Sequence, residues 1–278
     1  MVKKALLIGI NYINTSYELN GCINDINNIN NFLQTYCEYN SENIHMLTEK
    51  EKVLPTKSNI MKHIEWFVSN NVKGDTLFFY YSGHGSNIKD KNKDETDKKD
   101  EEIITLDGEL SDDWLYKNLV SRIEKDINMW CFFDSCFSGT VLDLQYNYIS
   151  KCKYKKGKLK NDIKYNPDEW TTKFSFSEEN SLNSIGNVCE FSGCLDKQTS
   201  ADAYVENLNQ GAFTFCLLKF LNNHIITLPN NKKRFSGANI KLKDVLKEIN
   251  ALLDINNFEQ NSQLSIGKIQ DIERYFEI

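Results

Sequence analysis

Proline and arginine are the scarce residues of this 278-residue sequence, with only three of each beside 30 lysines. So little proline, together with 40% hydrophobic residues, excludes a collagen-like or disordered chain and points to an ordered globular one. Long apolar runs are missing as well: the longest, such as Ala5 to Ile10 and Thr76 to Tyr81, fall far short of the roughly 18 residues that cross a bilayer, so no membrane span is expected. The eight cysteines (22, 37, 131, 136, 152, 189, 194, 216) contain no CxxC pair and are irregularly spaced, which argues against a disulfide framework and a zinc site. Free thiols in a reducing compartment follow as the expectation. There is no excess of positive charge; the formal net charge of -6 disfavours a nucleic-acid partner, because phosphate neutralisation needs a basic surface. The opening MVKKALLIGI has too short an apolar run, and no small-residue cleavage site, for a secretory signal, and reads as the buried first strand of a cytoplasmic protein.

What is present alternates. Lys3 to Ile10 reads as a strand, and Cys22 to Tyr36 spaces Ile23, Ile26, Ile29, Phe32 and Leu33 as a helix does. Asn43 to Leu47 is a short strand, and Ser58 to Val68 is a second helix beginning just after Pro55. Asp75 to Tyr81 and Ile127 to Phe133 are apolar on both faces, as central parallel strands are. Between them the charged stretch Lys89 to Glu102 has no period and reads as a loop, and Ser111 is placed to cap a helix that runs through Val120. Beyond residue 150, the segment Lys151 to Asn187 reads as a Lys-rich surface linker. Asn187 to Ser192, Gly211 to Leu221, Ile240 to Leu252 and Ser262 to Lys268 then read as strand, helix, helix and strand that extend the same sheet. This order predicts an α/β fold with a parallel sheet between helices, whose active residues sit on loops at the carboxyl ends of strands.

Two such loops stand out. The two most apolar strands end in YSGHG (Tyr81 to Gly85) and FDSCFSG (Phe133 to Gly139), each delivering one reactive side chain, His84 and Cys136, in a glycine-flanked turn. A cysteine nucleophile needs an imidazole that is close in space though distant in sequence, and donors for the oxyanion; the N–H groups of Gly85 and Cys136 are the candidates. His45, His63 and His224 lack such a setting and read as structural or surface residues.

These residues resemble the metacaspases, a family of caspase-like cysteine peptidases. The resemblance is carried by LNGCINDINN (Leu19 to Asn28), FFYYSGHG, DEEIITLDGELSDD (Asp100 to Asp113), FDSCFSGTVLDL, FSGCLDKQTSADA (Phe191 to Ala203), GAFTF (Gly211 to Phe215) and SQLSIG. It implies a single caspase-like domain over 1-278, a three-layer α-β-α sandwich around a mostly parallel sheet. Residues 1-150 would be its large part, 151-187 the linker and 188-278 its small part. It implies a His84–Cys136 catalytic dyad, with Phe137 where the family usually has histidine. Cys22, Asp25, Ser82 and Asp134 match the pocket that accepts a basic P1 side chain, so protein or peptide substrates with Arg or Lys at P1 are expected. Aspartate at P1 is not: the three arginines, Arg122, Arg234 and Arg274, lie away from the motifs. Asp100, Asp112, Asp113 and Asp143 match the family's calcium site, and their hard oxygen ligands suit that ion. An EF-hand over Asp90, Asn92, Asp94 and Glu101 fits poorly, since Glu95 replaces the required glycine, Lys98 occupies a ligand position and no helices flank it. The family also suggests a monomer.

Charge is unevenly placed. Residues 84 to 113 hold eleven acids and five lysines, so this one segment carries the whole net charge of -6. Lys151 to Lys164, with seven lysines and one acid, is then a candidate for self-cleavage by an enzyme of that specificity. Two other functions compete: a catalytically silent scaffold with the same fold, and a redox-sensing thiol protein, which leaves the paired His84 unexplained.

Overall fold

Strands that are apolar on both faces can be buried only inside a sheet covered on both sides, and that requirement sets the architecture. The computed structural model describes residues 1–89, 99–136, 141–152, 170–176, 184–194, 202–205, 208–268 and 272–278. Along the chain come β1 (Lys3–Gly9), α1 (Cys22–Tyr36), β2 (Ile44–Leu47), α2 (Lys57–Val68) and β3 (Thr76–Ser82). Three short strands follow, β4 (Gly85–Lys89), β5 (Lys99–Ile104) and β6 (Glu109–Ser111), and then α3 (Asp112–Asn118) and β7 (Asn128–Asp134). The second half holds β8 (Tyr146–Cys152), β9 (Trp170–Phe176), β10 (Asn187–Ser192), β11 (Asp202–Val205), β12 (Leu208–Gly211) and α4 (Ala212–Asn223). It closes with β13 (Ile225–Thr227), β14 (Lys233–Phe235), α5 (Leu242–Ile255) and β15 (Gln263–Ile266).

The central sheet has eight strands in the order β2-β1-β3-β7-β10-β15-β8-β9. From β2 to β10 neighbours are parallel; from β10 to β9 they are antiparallel. Alternation along each strand divides the core in two. Ala5, Leu7, Phe78, Tyr80, Trp130 and Phe132 face α1, α4 and α5, whereas Leu6, Ile8, Phe79, Tyr81, Cys131 and Phe133 face α2 and α3. The result is the expected α-β-α sandwich with a mostly parallel sheet. The helices begin where local chemistry allows. Thr56 and Ser111 cap α2 and α3 through their hydroxyls, while α1, whose cap position is Gly21, receives the side chain of Asn11 on the N–H of Ile23 at 3.1 Å. Among the described residues no helix is long and apolar enough to cross a membrane.

Two expectations need correction. The charged stretch Lys89 to Glu102 is not all loop: β5 begins at Lys99 and pairs with β4 and β6 in a separate three-stranded sheet. Within it β5 buries the acidic side chains of Glu101 and Glu102 beside Ile103, so the apolar period that marks a strand is absent. Likewise the stretch from Lys151 to Asn187 is not simply a linker. Its start completes β8, and Trp170–Phe176 forms β9, the sheet's edge, where Trp170 is buried but most of the strand is exposed. Residues 90–98, which carry most of the EF-hand comparison, and 153–169, which carry most of the lysine-rich segment, lie outside the described residues.

Candidate active site

β3 and β7 lie side by side in parallel, with Ser82 opposite Asp134. Two residues beyond each of these positions stand His84 and Cys136, so equal steps from paired strand ends bring them to one edge of the sheet. The turns are in direct contact. The N–H of Gly83 donates to the Asp134 carbonyl at 3.3 Å. A Cβ at Gly85 would strike the Cys136 carbonyl oxygen and lie 3.4 Å from Ser135 Oγ, so only glycine lets the strands' loops approach this closely.

The His84 imidazole is held from one side. Its Nε2 lies 2.7 Å from the backbone carbonyl of Tyr17. A carbonyl only accepts, so Nε2 carries a proton, and in the neutral ring Nδ1 is the acceptor. Cys136 is half-buried, unlike Cys22, Cys37, Cys131, Cys189, Cys194 and Cys216, which are all buried. Burial pushes the Cys37 thiol up to about 12 and holds Cys131 and Cys216 well above the ordinary range, so these are packing thiols rather than nucleophiles. Phe137 lies outside the described residues.

Beneath the two turns sit two buried carboxylates. Asp25 on α1 is fully buried and accepts from the Ser82 hydroxyl at 2.7 Å and from the Gly211 N–H at 3.0 Å. Asp134 accepts through Oδ2 from both the N–H (2.9 Å) and the hydroxyl (2.6 Å) of Thr214. It thereby caps α4 from a different strand, in place of Gly211, which has no side chain to do so. Gly211 separates the two acids: a Cβ there would overlap Asp134 Oδ2 and lie 3.0 Å from Asp25 Oδ2. Asp25, Ser82 and Asp134 are thus one cluster; Cys22 is buried at the start of α1, three residues before Asp25.

A second acidic cluster stands apart. Oxygen atoms of Asp112, Asp113 and Asp143 all lie within 4.8 Å of one another. Asp112 is oriented by two backbone donors, the N–H of Glu101 and that of Asp113. Asp143 sits at φ 49, a backbone region that aspartate tolerates better than most residues. The structure therefore brings together three of the four aspartates expected as metal ligands. For Asp100 only its backbone, in β5, is described. Sequence reasoning missed the Tyr17 carbonyl, Gly211 and Thr214. A carbonyl is the same in every residue and leaves no trace in sequence; the GAFTF segment was the available signal for the other two.

The family model described as "Metacaspase, peptidase C14 domain" matches residues 3–145. A metacaspase-1 of Candida glabrata is 34% identical over 273 residues, covering 84% of this chain and 70% of that protein. One from Saccharomyces cerevisiae is also 34% identical, covering 84% of this chain and 64% of its own length. Among solved structures, a Geobacter sulfurreducens protein aligns with a TM-score of 0.63 at 21% identity, covering 99% of this chain and 97% of the other. Caspase-1 from Spodoptera frugiperda aligns with a TM-score of 0.52 at 10% identity, covering 95% and 85%. At such identities the structural likeness speaks for the fold.

Proposed function

The chain belongs to the metacaspase family of cysteine peptidases, and from that premise we propose that it is a calcium-dependent endopeptidase cutting after arginine or lysine through Cys136 and His84. The observation that carries the reading is the contact between the two turns, with Gly85 against the Cys136 carbonyl at the ends of paired strands.

In the proposed reaction Cys136 Sγ, as thiolate, attacks the scissile carbonyl carbon. The oxyanion so formed accepts from the N–H groups of Gly85 and Cys136. His84, its Nε2–H directed at the Tyr17 carbonyl, uses Nδ1 to carry the thiol's proton to the leaving amine. The C–N bond breaks, leaving an acyl-enzyme. Water, giving its proton to His84, then cleaves the thioester, and the proton returns to Cys136. The carbon skeleton gains one water and no electrons are exchanged.

Specificity is assigned to Asp25 and Asp134. Their orientation is fixed by the donors of Ser82, Gly211 and Thr214, so little side-chain entropy is lost when a cation arrives. A guanidinium can meet a carboxylate bidentately and an ammonium as a point charge, whereas an aspartate side chain would be repelled.

The oxygen-only set of Asp112, Asp113 and Asp143 fits a hard cation, since calcium at roughly 2.3–2.6 Å from each ligand allows oxygens up to about 5 Å apart. When bound, the ion supplies the positive charge that offsets the mutual repulsion of these acids. Residues 151–164 are proposed as a self-cleavage segment, because their seven lysines match the P1 preference proposed for the enzyme. Arg-, Lys- and Asp-P1 fluorogenic peptides, assayed with and without millimolar calcium, test the whole. The reading expects turnover of the first two only, dependent on calcium in the wild type and absent in Cys136→Ala. Faster cleavage after aspartate, or equal activity with the ion chelated, removes the corresponding part. An intact thiol with no turnover of any peptide would instead favour a silent scaffold.

A further inference from the structure

Tyr12 is held at φ 52, in the left-handed region that a bulky side chain normally avoids, and it is almost wholly buried. Strain of this kind persists only where the surroundings over-determine the residue, and it is a reason to ask what the residue does. Here the surroundings are the His84 turn. The backbone N–H of His84 donates to the Tyr12 phenolic oxygen at 2.9 Å, and the Tyr12 hydroxyl donates in turn to the Ile104 carbonyl at 2.8 Å. The Tyr12 ring lies 4.7 Å from the imidazole, centroid to centroid, tilted by 35°.

Tyr81 completes the arrangement. Its hydroxyl is 3.1 Å from that of Tyr12 and donates to the His84 carbonyl at 2.6 Å, which also accepts from the N–H of Ile104 at 3.0 Å. Both backbone polar groups of His84 therefore end on this knot. Burial pushes both phenols well above their ordinary range, so each remains a neutral donor at any working pH. Because Ile104 belongs to β5, the knot also ties the acidic three-stranded sheet to the His84 turn.

We propose that Tyr12 is a positioning residue for the reaction, its hydroxyl fixing the backbone of His84 and its ring fixing the plane of the imidazole that serves Cys136. It acts through His84 and touches no substrate. The inference rests on the assignment of His84 as the acid–base group and adds to it a residue in the first loop whose role the catalytic motifs do not cover. Removing the hydroxyl while keeping the ring frees the turn to shift, and small misplacements of a catalytic group cost rate rather than binding.

The test is Tyr12→Phe assayed on an Arg-P1 peptide in saturating calcium. The expected result is a kcat lower by about 10- to 100-fold, with KM changed less than about twofold and the melting temperature moved by only a few degrees. A second measurement uses the rate at which iodoacetamide alkylates Cys136. Tyr12→Phe should slow it in the wild-type background and leave it unchanged in a His84→Ala background, where the positioned group is gone. An unchanged kcat, while His84→Ala is inactive, overturns the proposal. So does an equal slowing of alkylation in both backgrounds, which would mark Tyr12 as a packing residue. Wild-type turnover in His84→Ala would overturn the acid–base assignment itself, and this inference with it.

Discussion

Gly211→Ala separates a pocket wall from mere backbone freedom. Gly211 has φ -65 and ψ 139, which alanine adopts without strain, so any effect must come from the added methyl group. That methyl would overlap Asp134 Oδ2, lie 2.6 Å from its Cγ, and lie 3.0 Å from Asp25 Oδ2. Carbon atoms pack at roughly 3.5–4.0 Å, so Asp134 must retreat by about 1 Å. It cannot do so while keeping both bonds from Thr214, at 2.9 and 2.6 Å. Losing one hydrogen bond to a charged group costs about 1.5–3 kcal/mol, and overpacking adds about 1–3 kcal/mol. With partial relaxation the net loss should be about 2–4 kcal/mol. For a domain of this size that lowers the melting temperature by about 3–7 °C. The functional effect should be larger than the stability effect: at 20 °C, where the variant remains folded, kcat/KM for an Arg-P1 peptide should fall at least about 100-fold. Alkylation of Cys136 should change far less, because the added methyl meets the side chain of Asp134 and not the backbone that carries Cys136. Unfolding monitored by fluorescence, peptide hydrolysis and thiol labelling supply the three numbers. An unchanged melting temperature with undiminished Arg-P1 cleavage would refute the claim that Gly211 stands between the two acids.

Gly85→Ala should abolish hydrolysis, since its methyl group would push the His84 turn off the Cys136 carbonyl; full activity in a peptide assay would contradict the contact between the turns. In native protein at pH 8, iodoacetamide mapped by mass spectrometry should label Cys136 well before Cys37 or Cys131, whose thiols burial holds up; equal rates would refute that ordering. The pH dependence of stability has a local contribution from His45 and His63, whose Nδ1 atoms face each other at 2.9 Å beside Trp66. Burial, followed by neighbouring positive charge, holds both imidazoles below the ordinary 6.5. The unfolded chain therefore binds more protons as pH falls, so this contribution is present above about pH 6.5 and is lost below it. The melting temperature should drop between pH 7.5 and 5.5, and less so in His63→Gln; an equal drop in that variant would exclude the pair as a source.

Legibility in the sequence tracked burial. β1, β3, β7 and β10 were plain because a strand covered on both faces must be apolar throughout, and the start of α1 at Cys22 followed from its stripe of isoleucines. β9 is hidden because an edge strand needs few apolar residues, and it exposes even Phe174 and Phe176; β5 is hidden because it buries the acids Glu101 and Glu102 where an apolar pattern would mark a strand. The loop expected over Lys89 to Glu102 and the linker expected over Lys151 to Asn187 rest on composition, which registers polarity and not hydrogen bonding. His84 and Cys136 were legible because reactive side chains among glycines at strand ends are rare in themselves.

From the sequence alone came the class of fold, the two reactive side chains, and the aspartates, the last through family likeness. All are properties of which side chains exist and in what period. Only the tertiary structure decided what those side chains meet. Parallel pairing in register set Ser82 opposite Asp134 and so brought two turns 52 residues apart in the chain into contact. Folding α1 and α4 onto one face of the sheet closed Asp25, Asp134 and Gly211 into one cluster. The partners that orient His84 are a carbonyl of Tyr17 and a phenol of Tyr12, groups whose role depends on where the backbone runs rather than on what the residue is. Hydrogen bonds of that kind act over about 3 Å, and proximity on that scale is a property of the packed chain.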